Sequence, residues 1–326
     1  MKTGTDTKKA ADIIKSGGLV VFPTETVYGL GADAFNENAV RKVFDAKRRP
    51  TDNPLIIHIA DKSKIHSLAE SVPENAERLI EKFWPGPLTI ILKKKNSVPD
   101  IVTGGNDTVA IRLPDNEITL DLIRESETPI VGPSANISGK PSPTHHQHII
   151  DSEIFEKVDY VLEGGQTEIG IESTVVDFTS EIPRIMRPGG LSIEEIESVI
   201  GKVEIASNID EKIISPGMAY KHYAPNAEIK IIADDEYLTL KIMDELKNAK
   251  KHYKKIRIFL LSRNAEKFDE PEVIDIGMDE VQAAKNIFDL FLKADKDDIN
   301  LILIQSFEKT GLGLGLMERI ERASNK

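Results

Sequence analysis

The sequence contains no cysteine. Disulfide bonds, thiolate metal sites and cysteine nucleophiles are therefore excluded together, and this composition is typical of a reducing compartment. Long apolar stretches are also missing, since no run approaches the roughly 18 apolar residues needed to cross a bilayer. The opening segment, MKTGTDTKKAADIIKSGG, lacks the apolar core of a signal peptide. These absences predict a cytoplasmic protein with no membrane association.

Net positive charge is the third property that the chain lacks. Its 42 Lys and Arg residues are outnumbered by 54 Asp and Glu residues, which gives a formal charge of −12 and a pI near 5.2. Affinity for a phosphate backbone comes chiefly from clustered Lys and Arg. The balance argues against a protein whose main task is to coat nucleic acid, and any anion site must be local.

The length and the hydrophobic content predict two domains. The chain has 326 residues, 40% of them hydrophobic, which is more than one average domain needs. From Gly18 to Ile193, short β-rich runs alternate with amphipathic segments such as NENAVRKVFDAK and PENAERLIEKFW, as expected of an α/β or α+β sheet domain. The strand candidates of this part are GLVVFP, PLIIHIA, PLTIILKK, TVAIRLP, PIVGPS, YVLEGG and STVVDF.

The second part of the chain follows an irregular segment. Residues 201–226 contain SPGMAYKHYAPN, whose Pro and Gly residues break both helix and strand periodicity. The remaining hundred or so residues alternate strand candidates (AEIKIIAD, IRIFLLS, NLILIQS) with helices, which predicts a smaller, Rossmann-like domain with a parallel sheet. We therefore predict domains at 6–200 and 227–326, joined by a linker at 201–226.

A cluster of cations stands in FDAKRRPTDNPLIIHI. Pro50 disfavours the helical region for Arg49, which predicts an extended segment. Alternate side chains of an extended segment share a side, so Lys47 and Arg49 would point together and Arg48 away. Such a pair suits a polyphosphate. The alternative is that basic residues simply favour a helix C-terminus.

The stretch IVGPSANISGKPSP resembles a phosphate-binding loop. It fails the P-loop pattern, because six residues separate Gly132 from Gly139 and a proline stands at the magnesium-binding position. Ser134, Asn136 and Ser138 nevertheless follow a predicted strand, where open α/β sheets commonly bind ligands. The alternative is a set of turn residues that caps the next helix.

Two polar residues interrupt apolar strands. His58 lies in PLIIHIA and Arg112 in TVAIRLP, and a buried polar group without a partner costs a few kcal/mol. Both are candidates for ligand contacts. Two other motifs carry weaker signals. THHQH (His145, His146 and His148) fits an exposed segment better than a metal site. GLGLGL fits a helix better than a dinucleotide fingerprint.

Eight motifs together resemble one family. FPTETVYGLGADA, KRRP…NPLIIHI, FWPGPLTIIL, VAIRLP, PIVGPSANISGKPSPT, IESTVVD, IMRPG and SPGMAYKHYAP occur in the order found in YrdC-type threonylcarbamoyl-adenylate synthases. The KHYAP segment matches the long form with an added C-terminal domain. The resemblance implies a YrdC-like twisted mixed sheet in the first domain. It also implies synthesis of threonylcarbamoyl-AMP and pyrophosphate from L-threonine, bicarbonate and ATP, for modification of the adenosine next to the tRNA anticodon.

The resemblance also assigns site residues. The KxR…SxN signature of the family falls on Lys47, Arg49, Ser134 and Asn136, the implied catalytic set. The other implied nucleotide contacts are Asn53, Thr108, Thr144 and Arg187, and the implied threonine contacts are Thr26, His58, Arg112, Ser134 and Thr174, with Ser173 as the alternative to Thr174. Magnesium is expected to arrive with ATP, and no protein ligand is assigned to it. The product would pass to a tRNA-modifying transferase complex.

The aromatic residues of the linker suggest a lid. Met218, Tyr220, His222 and Tyr223 occupy a segment that a passive tether would fill with Gly, Ser or charged residues. We expect His222 or Tyr223 to reach the nucleotide, and a domain contact is the alternative. Two other functions stay open: an RNA-binding module, and the carbamoyl transfer of hydrogenase maturation, which normally uses cysteine-rich zinc motifs.

Overall fold

The computed structural model describes residues 2–206 and 223–324. These residues form two compact units, the first made of residues 2–138 and 142–206 and the second of residues 139–141 and 223–324. Within the described ranges, every helix is too short or too polar to cross a membrane.

The first unit is built on a mixed sheet. Its described strands are β1 (Thr3–Gly4), β2 (Val20–Phe22), β3 (Gly29–Asp33), β4 (Ile56–His58), β5 (Leu88–Lys93), β6 (Thr108–Arg112), β7 (Ile130–Val131), β8 (Tyr160–Leu162), β9 (Thr174–Asp177), β10 (Arg184–Arg187) and β11 (Glu204–Ile205). Their order is β1-β8-β2-β3-β7-β4-β6-β5-β9-β10-β11. In this order, strands that are neighbours in sequence are often separated in the sheet. The sheet is mixed, because β4 runs parallel to β6, whereas β6 and β5 are antiparallel.

Helices cover most of this sheet. They are α1 (Thr7–Lys15), α2 (Glu37–Lys47), α3 (Ile65–Leu68), α4 (Glu74–Phe83), α5 (Asp100–Thr103), α6 (Glu117–Ser126), α7 (His146–Ile150) and α8 (Ile193–Ile200). Helix α2 begins where the Asn36 side chain accepts a hydrogen bond from the Ala39 N–H. Val40, Val43 and Phe44 then form one apolar face at helical spacing, and this face joins the main core.

The two faces of the sheet are covered differently. One face packs into the large core that includes the apolar residues of α2, α4 and α8. The other face is covered at one end by α1 and α6. Towards β4, β6, β5, β9 and β10, that second face instead carries a small cluster, which we call the apolar floor: Ile56, Ile91, Ala110, Val175 and Met186. Ala206 packs against it.

The second unit has a parallel sheet. Its strands are β12 (Glu228–Ile232), β13 (Ile256–Leu260), β14 (Val273–Asp275) and β15 (Leu301–Gln305), in the order β12-β15-β13-β14. Its helices are α9 (Leu238–Ala249), α10 (Ser262–Ala265), α11 (Glu280–Lys296) and α12 (Gly311–Ser324). All three strand pairs are parallel, as expected when helices connect the strands. The predicted combination of a mixed sheet with a smaller parallel sheet is confirmed. GLGLGL lies at the start of α12.

Candidate active site

The second face of the large sheet places polar residues on both sides of the apolar floor. Thr108, Ala110 and Arg112 of β6 share this face, because alternate residues of a strand point the same way. The strand register sets Ile56 opposite Ala110 and His58 opposite Arg112. Thr108 and Arg112 stand at the two ends of β6, about 13 Å apart at roughly 3.3 Å per residue. We call the end of the face at Thr108, where Asn53 precedes β4, the Lys47 end. We call the opposite end the Arg112 end.

The cation cluster differs in backbone from its prediction. Helix α2 continues to Lys47, and Arg48 adopts the left-handed conformation with φ 52° and ψ 43°. The Arg49 N–H bonds to the Phe44 carbonyl and the Arg48 N–H to the Asp45 carbonyl, the hydrogen-bond pattern of a Schellman motif. The prediction of an extended segment that aligns Lys47 with Arg49 is therefore wrong. The rule for residues before proline constrains Arg49 alone and does not reach back to the helix end.

Lys47 connects the helix end to the SxN loop. Its side chain is 1% exposed, and its ammonium group donates hydrogen bonds to the carbonyls of Ser134 and, at 2.6 Å, Asn136. The Ser138 N–H returns a hydrogen bond to the Lys47 carbonyl. Burial lowers the pKa of Lys47 well below its usual value, and the charge of Arg49 lowers it further, whereas Glu172 raises it. An ammonium has three donors, so one remains for a ligand, and a phosphate group would offset the cost of burial.

Arg49 is directed towards the start of β4. Its Nη2 atom donates to the Asn53 side-chain oxygen at 2.5 Å and to the Pro54 carbonyl at 2.9 Å. Arg48 instead forms an exposed ion pair with Glu153, at 2.6 Å. The structure thus groups Lys47, Arg49 and Asn53 at one end of the face and places Arg48 outside this group.

The opposite end contains a buried ion pair that the sequence analysis missed. The Arg112 Nη2 atom lies 2.7 Å from the Glu25 Oε2 atom, and the two side chains are 5% and 4% exposed. The Arg112 Nε–H also donates to the Gly86 carbonyl at 3.3 Å. Glu25 belongs to the FPTETVYG motif, and its position one residue before Thr26, a predicted threonine contact, was the available signal.

His58 lies beside this ion pair in a neutral state. Burial lowers its pKa to about 3, and the charge of Arg112 contributes, while a backbone hydrogen bond with Ile56 opposes the shift. Its Nδ1 atom is buried and has no hydrogen-bond partner among the residues that the structure describes. A Cβ atom on Gly132 would lie only 2.6 Å from this Nδ1, so glycine leaves room for the imidazole. A neutral ring nitrogen of this kind can accept a hydrogen bond from a ligand hydroxyl.

The His58 pKa predicts a specific loss of stability in acid. Between pH 6.5 and pH 3 the unfolded chain binds a proton that the folded protein excludes, so the free energy of unfolding falls as pH falls. The loss is about 1.4 kcal/mol per pH unit, or about 2.7 kcal/mol between pH 6.5 and 4.5. In urea unfolding at pH 7.5 and 4.5, His58→Gln should lose that much less stability than the wild type. Equal losses in the two proteins would contradict the assignment.

The predicted threonine contacts differ in how their hydroxyl groups are engaged. The Thr26 hydroxyl lies 2.8 Å from that of Thr24. The Thr174 hydroxyl donates to the Leu191 carbonyl at 2.5 Å and accepts from the Leu191 N–H at 3.1 Å. As a donor and as an acceptor, the Thr174 hydroxyl thus already has a hydrogen-bond partner within the protein. A direct contact from this hydroxyl to threonine stays a prediction.

Ser173, the alternative to Thr174, lies in a different network. Its hydroxyl is 2.8 Å from that of Thr89 and accepts from Arg187 Nη2 at 3.2 Å. Arg187 also donates twice to the Ser173 carbonyl. Thr89 is opposite Arg112 in the register of β5 and β6. Ser173, just before β9, and Arg187, at the end of β10, therefore lie next to the Arg112 end, and a role for Arg187 in nucleotide binding stays a prediction.

Three further hydroxyl groups of the first unit are buried, those of Ser138, Thr144 and Thr167. The oxygens of Ser138, Thr144 and Thr167 have no hydrogen-bond partner within residues 2–206 and 223–324. The Thr167 N–H donates to the Thr144 carbonyl, so these two lie side by side. A buried hydroxyl without a partner costs free energy, so each of these hydroxyls is a candidate for contact with a polar ligand.

The histidine motif has a structural role. His145 caps α7 by accepting a hydrogen bond from the Gln147 N–H at 3.1 Å, and the His148 Nδ1 atom accepts one from the Thr144 N–H at 3.2 Å. The described part of the chain contains no group of three His, Cys, Asp or Glu residues that could hold a metal ion. The motif therefore positions Thr144.

The predicted lid falls mostly on residues that the structure does not describe. Met218, Tyr220 and His222 lie outside the described ranges. Tyr223 is described: its ring is buried, stacks on Phe288 at 5.5 Å and lies 5.3 Å from the Arg319 guanidinium, all within the second unit. Contact of either His222 or Tyr223 with a nucleotide stays a prediction.

Comparison with known proteins gives matches along the whole chain. Residues 12–189 match the Sua5, YciO and YrdC model, described as telomere recombination. Residues 191–325 match a model described as the C-terminal domain of threonylcarbamoyl-AMP synthase. The chain is 46% identical to the threonylcarbamoyl-AMP synthase of Pyrococcus abyssi, over 97% of this chain and 93% of the relative. It is 41% identical to that of Bacillus subtilis, over 97% and 92%.

A solved structure agrees with these matches. The crystal structure of P. abyssi Sua5 in complex with L-threonine is 44% identical to this chain, covers 99% of it and is itself covered over 96% of its length. The TM-score is 0.93. The similarity in sequence and in structure extends over both units.

Proposed function

Because the chain belongs to the family of Sua5 and YrdC proteins and carries the Sua5 C-terminal domain, we propose that it is a threonylcarbamoyl-AMP synthase. It joins L-threonine, bicarbonate and ATP into threonylcarbamoyl-AMP and releases pyrophosphate, which makes it a nucleotidyltransferase. The observation that carries the proposal is the face with two polar ends. Lys47 and Arg49 supply cations at one end, and Arg112 and His58 supply an amino-acid site at the other.

The Lys47 end suits the triphosphate. Lys47 offers a compact charge and Arg49 a planar fork, and the two recognise phosphate oxygens in complementary ways. The carbonyls of Ser134 and Asn136 hold the Lys47 ammonium, so the SxN loop and the KxR segment act as one binding element. As pyrophosphate leaves, these fixed charges stabilise the negative charge that develops on the leaving oxygen.

The Arg112 end suits threonine. A guanidinium group binds a carboxylate through two parallel hydrogen bonds, and the neutral His58 Nδ1 can accept from the threonine hydroxyl. The apolar floor between the two ends excludes water from the carbamate as it approaches the α-phosphate. No covalent enzyme intermediate is needed, so catalysis consists of positioning and charge stabilisation.

Magnesium would enter with ATP and supply charge neutralisation on the phosphates when bound. Mg²⁺ usually keeps several waters and takes few protein ligands, so a single carboxylate would be enough to hold it beside the phosphates. Glu172, whose charge raises the pKa of Lys47, is a carboxylate at this end that could hold the ion. In the cell, the product passes in the cytoplasm to a transferase that modifies the adenosine next to the anticodon in tRNAs reading codons that begin with A.

The test of this function is the requirement for both small substrates. Pyrophosphate formation from ATP should depend on L-threonine and bicarbonate together. Serine should react about fivefold less efficiently, because the threonine methyl group contributes about 1 kcal/mol of apolar burial. A coupled pyrophosphate assay in degassed and bicarbonate-supplemented buffers measures this. Equal turnover without bicarbonate would indicate simple amino-acid adenylation instead.

A further inference from the structure

Glu25 is a buried carboxylate to which the residue assignments above give no role. It stands between β2 and β3, and its main-chain carbonyl accepts hydrogen bonds from the N–H groups of Glu168 and Ile169, at 3.1 and 2.8 Å. The side chain is 4% exposed. The backbone thus fixes the carboxylate at the Arg112 end of the face.

The Glu25 carboxylate retains capacity to bind a cation. Apart from the ion pair with Arg112, neither of its oxygens accepts a hydrogen bond from the described residues. An ionised carboxylate can accept about four hydrogen bonds. Arg112 in turn has five N–H donors, of which the Nε–H faces Gly86 and Nη2 faces Glu25. Both members of the pair can therefore bind a further charged group.

A carboxylate in contact with a guanidinium matches an α-amino acid zwitterion. The ammonium and carboxylate groups of threonine are attached to the same carbon, so they need an acceptor and a donor side by side. The unpartnered Nδ1 of His58 is an independent sign of a ligand here, because this side chain is 2% exposed and stands opposite Arg112 in the register. Arg112, Glu25 and His58 provide three points for the carboxylate, the ammonium and the hydroxyl.

We infer that Glu25 binds the α-ammonium group of threonine and accepts the proton that this nitrogen loses when the carbamate forms. This inference rests on the proposed function. The ammonium gives one proton to the Glu25 carboxylate, and the nitrogen lone pair forms the C–N bond to the carbon of bicarbonate. The second N–H proton and the hydroxyl of bicarbonate leave as water. The products are the threonine carbamate and protonated Glu25, which balances atoms and charge. Glu25 is then a catalytic residue, since it touches the reacting nitrogen.

Other charged groups lie around this carboxylate. Arg112 places a positive charge in contact with it, and the neutral His58 adds no charge. Asp115, in the turn after β6, is close enough to Glu25 that the Glu25 charge raises the pKa of Asp115, after the larger effect of burial, and the charges of Glu168 and Glu117 raise it as well.

The first test measures binding of L-threonine by calorimetry without ATP or bicarbonate. The matched probe is 2,3-dihydroxybutanoate, in which a hydroxyl replaces the ammonium. The wild type should prefer threonine, and Glu25→Gln should bind threonine about ten- to hundredfold more weakly and lose most of that preference. Asp115→Asn, which removes an exposed charge nearby, should behave as the wild type does. Equal or tighter threonine binding by Glu25→Gln, with its preference intact, would overturn the inference.

The second test measures kcat against pH with the pyrophosphate assay. Without the carboxylate base, Glu25→Gln depends on free threonine amine, so its rate should rise about tenfold per unit between pH 7 and 8.5, more steeply than the wild-type rate. Parallel profiles would argue against a proton acceptor. If Glu25→Gln does not fold, Glu25→Asp is the variant to measure. A kcat at least about tenfold lower than that of the wild type, with the preference for threonine kept, would support the inference. A kcat equal to that of the wild type would overturn it. A wild type that forms no pyrophosphate would instead refute the proposed function.

Discussion

Lys47→Met and Arg49→Ala should each lower pyrophosphate formation by about a hundredfold or more, while Arg48→Ala should leave it nearly unchanged. A lost charged hydrogen bond to phosphate costs roughly 1.5–3 kcal/mol, and about 3 kcal/mol corresponds to more than a hundredfold in rate. The loss of rate should be at the upper limit of this range for Lys47→Met. Its loss also releases the carbonyls of Ser134 and Asn136 and so loosens the loop.

The melting temperature separates this loss from unfolding. Lys47 is buried, and burial lowers its pKa because it disfavours the charged ammonium. Removing the charge offsets the loss of two hydrogen bonds, so Lys47→Met should melt within a few degrees of the wild type. Arg48→Ala removes only an exposed ion pair with Glu153, which is worth about 0–1 kcal/mol. If Arg48→Ala lost as much activity as its neighbours, the grouping of Lys47 and Arg49 without Arg48 would be wrong.

Arg112→Lys should raise the KM for threonine by about ten- to hundredfold while leaving the KM for ATP within a few fold. Lysine keeps the positive charge beside Glu25, but an ammonium cannot make the two parallel hydrogen bonds of a guanidinium fork. Loss of one such bond costs about 1.5–3 kcal/mol, and this free energy corresponds to a loss of about ten- to hundredfold in affinity for threonine. Because the charge remains, the buried Glu25 is not left alone and the fold should persist.

The measurement is a pair of steady-state series, one varying threonine at saturating ATP and one varying ATP at saturating threonine. Arg124→Lys is the matched control, since it makes the same change at an exposed arginine that pairs with Asp121 on α6. That variant should resemble the wild type in both series. A rise in the ATP KM alone would move Arg112 into the nucleotide site and would refute the two-ended arrangement.

Much of the secondary structure could be predicted because its signals are local. PENAERLIEKFW repeats apolar residues at helical spacing, and α4 spans Glu74–Phe83 with that face buried. In the second unit, the three long apolar runs became β12, β13 and β15. The strand β14 (Val273–Asp275) was missed, because two half-buried residues and one exposed residue carry no periodicity that separates a strand from a loop.

Strand order and the end of α2 could not be predicted. The large sheet inserts β7 between β3 and β4, and no local pattern reports which strands far apart in sequence pair. Arg48 adopts a left-handed conformation that is usually left to glycine. The side chain itself gives no sign of this, because the conformation is imposed by two backbone hydrogen bonds at the helix end.

Local periodicity and motif order were enough to establish the fold class, the family resemblance and the residue types available for binding phosphate and an amino acid, because none of these depends on contacts between distant parts of the chain. Which groups contact each other depends instead on the assembled fold. It paired Arg112 with Glu25, turned the Lys47 ammonium onto the Ser134 loop and lowered the pKa of His58 by burying it. Desolvation and charge proximity are set by neighbours distant in sequence, and those neighbours are fixed only when the strands assemble.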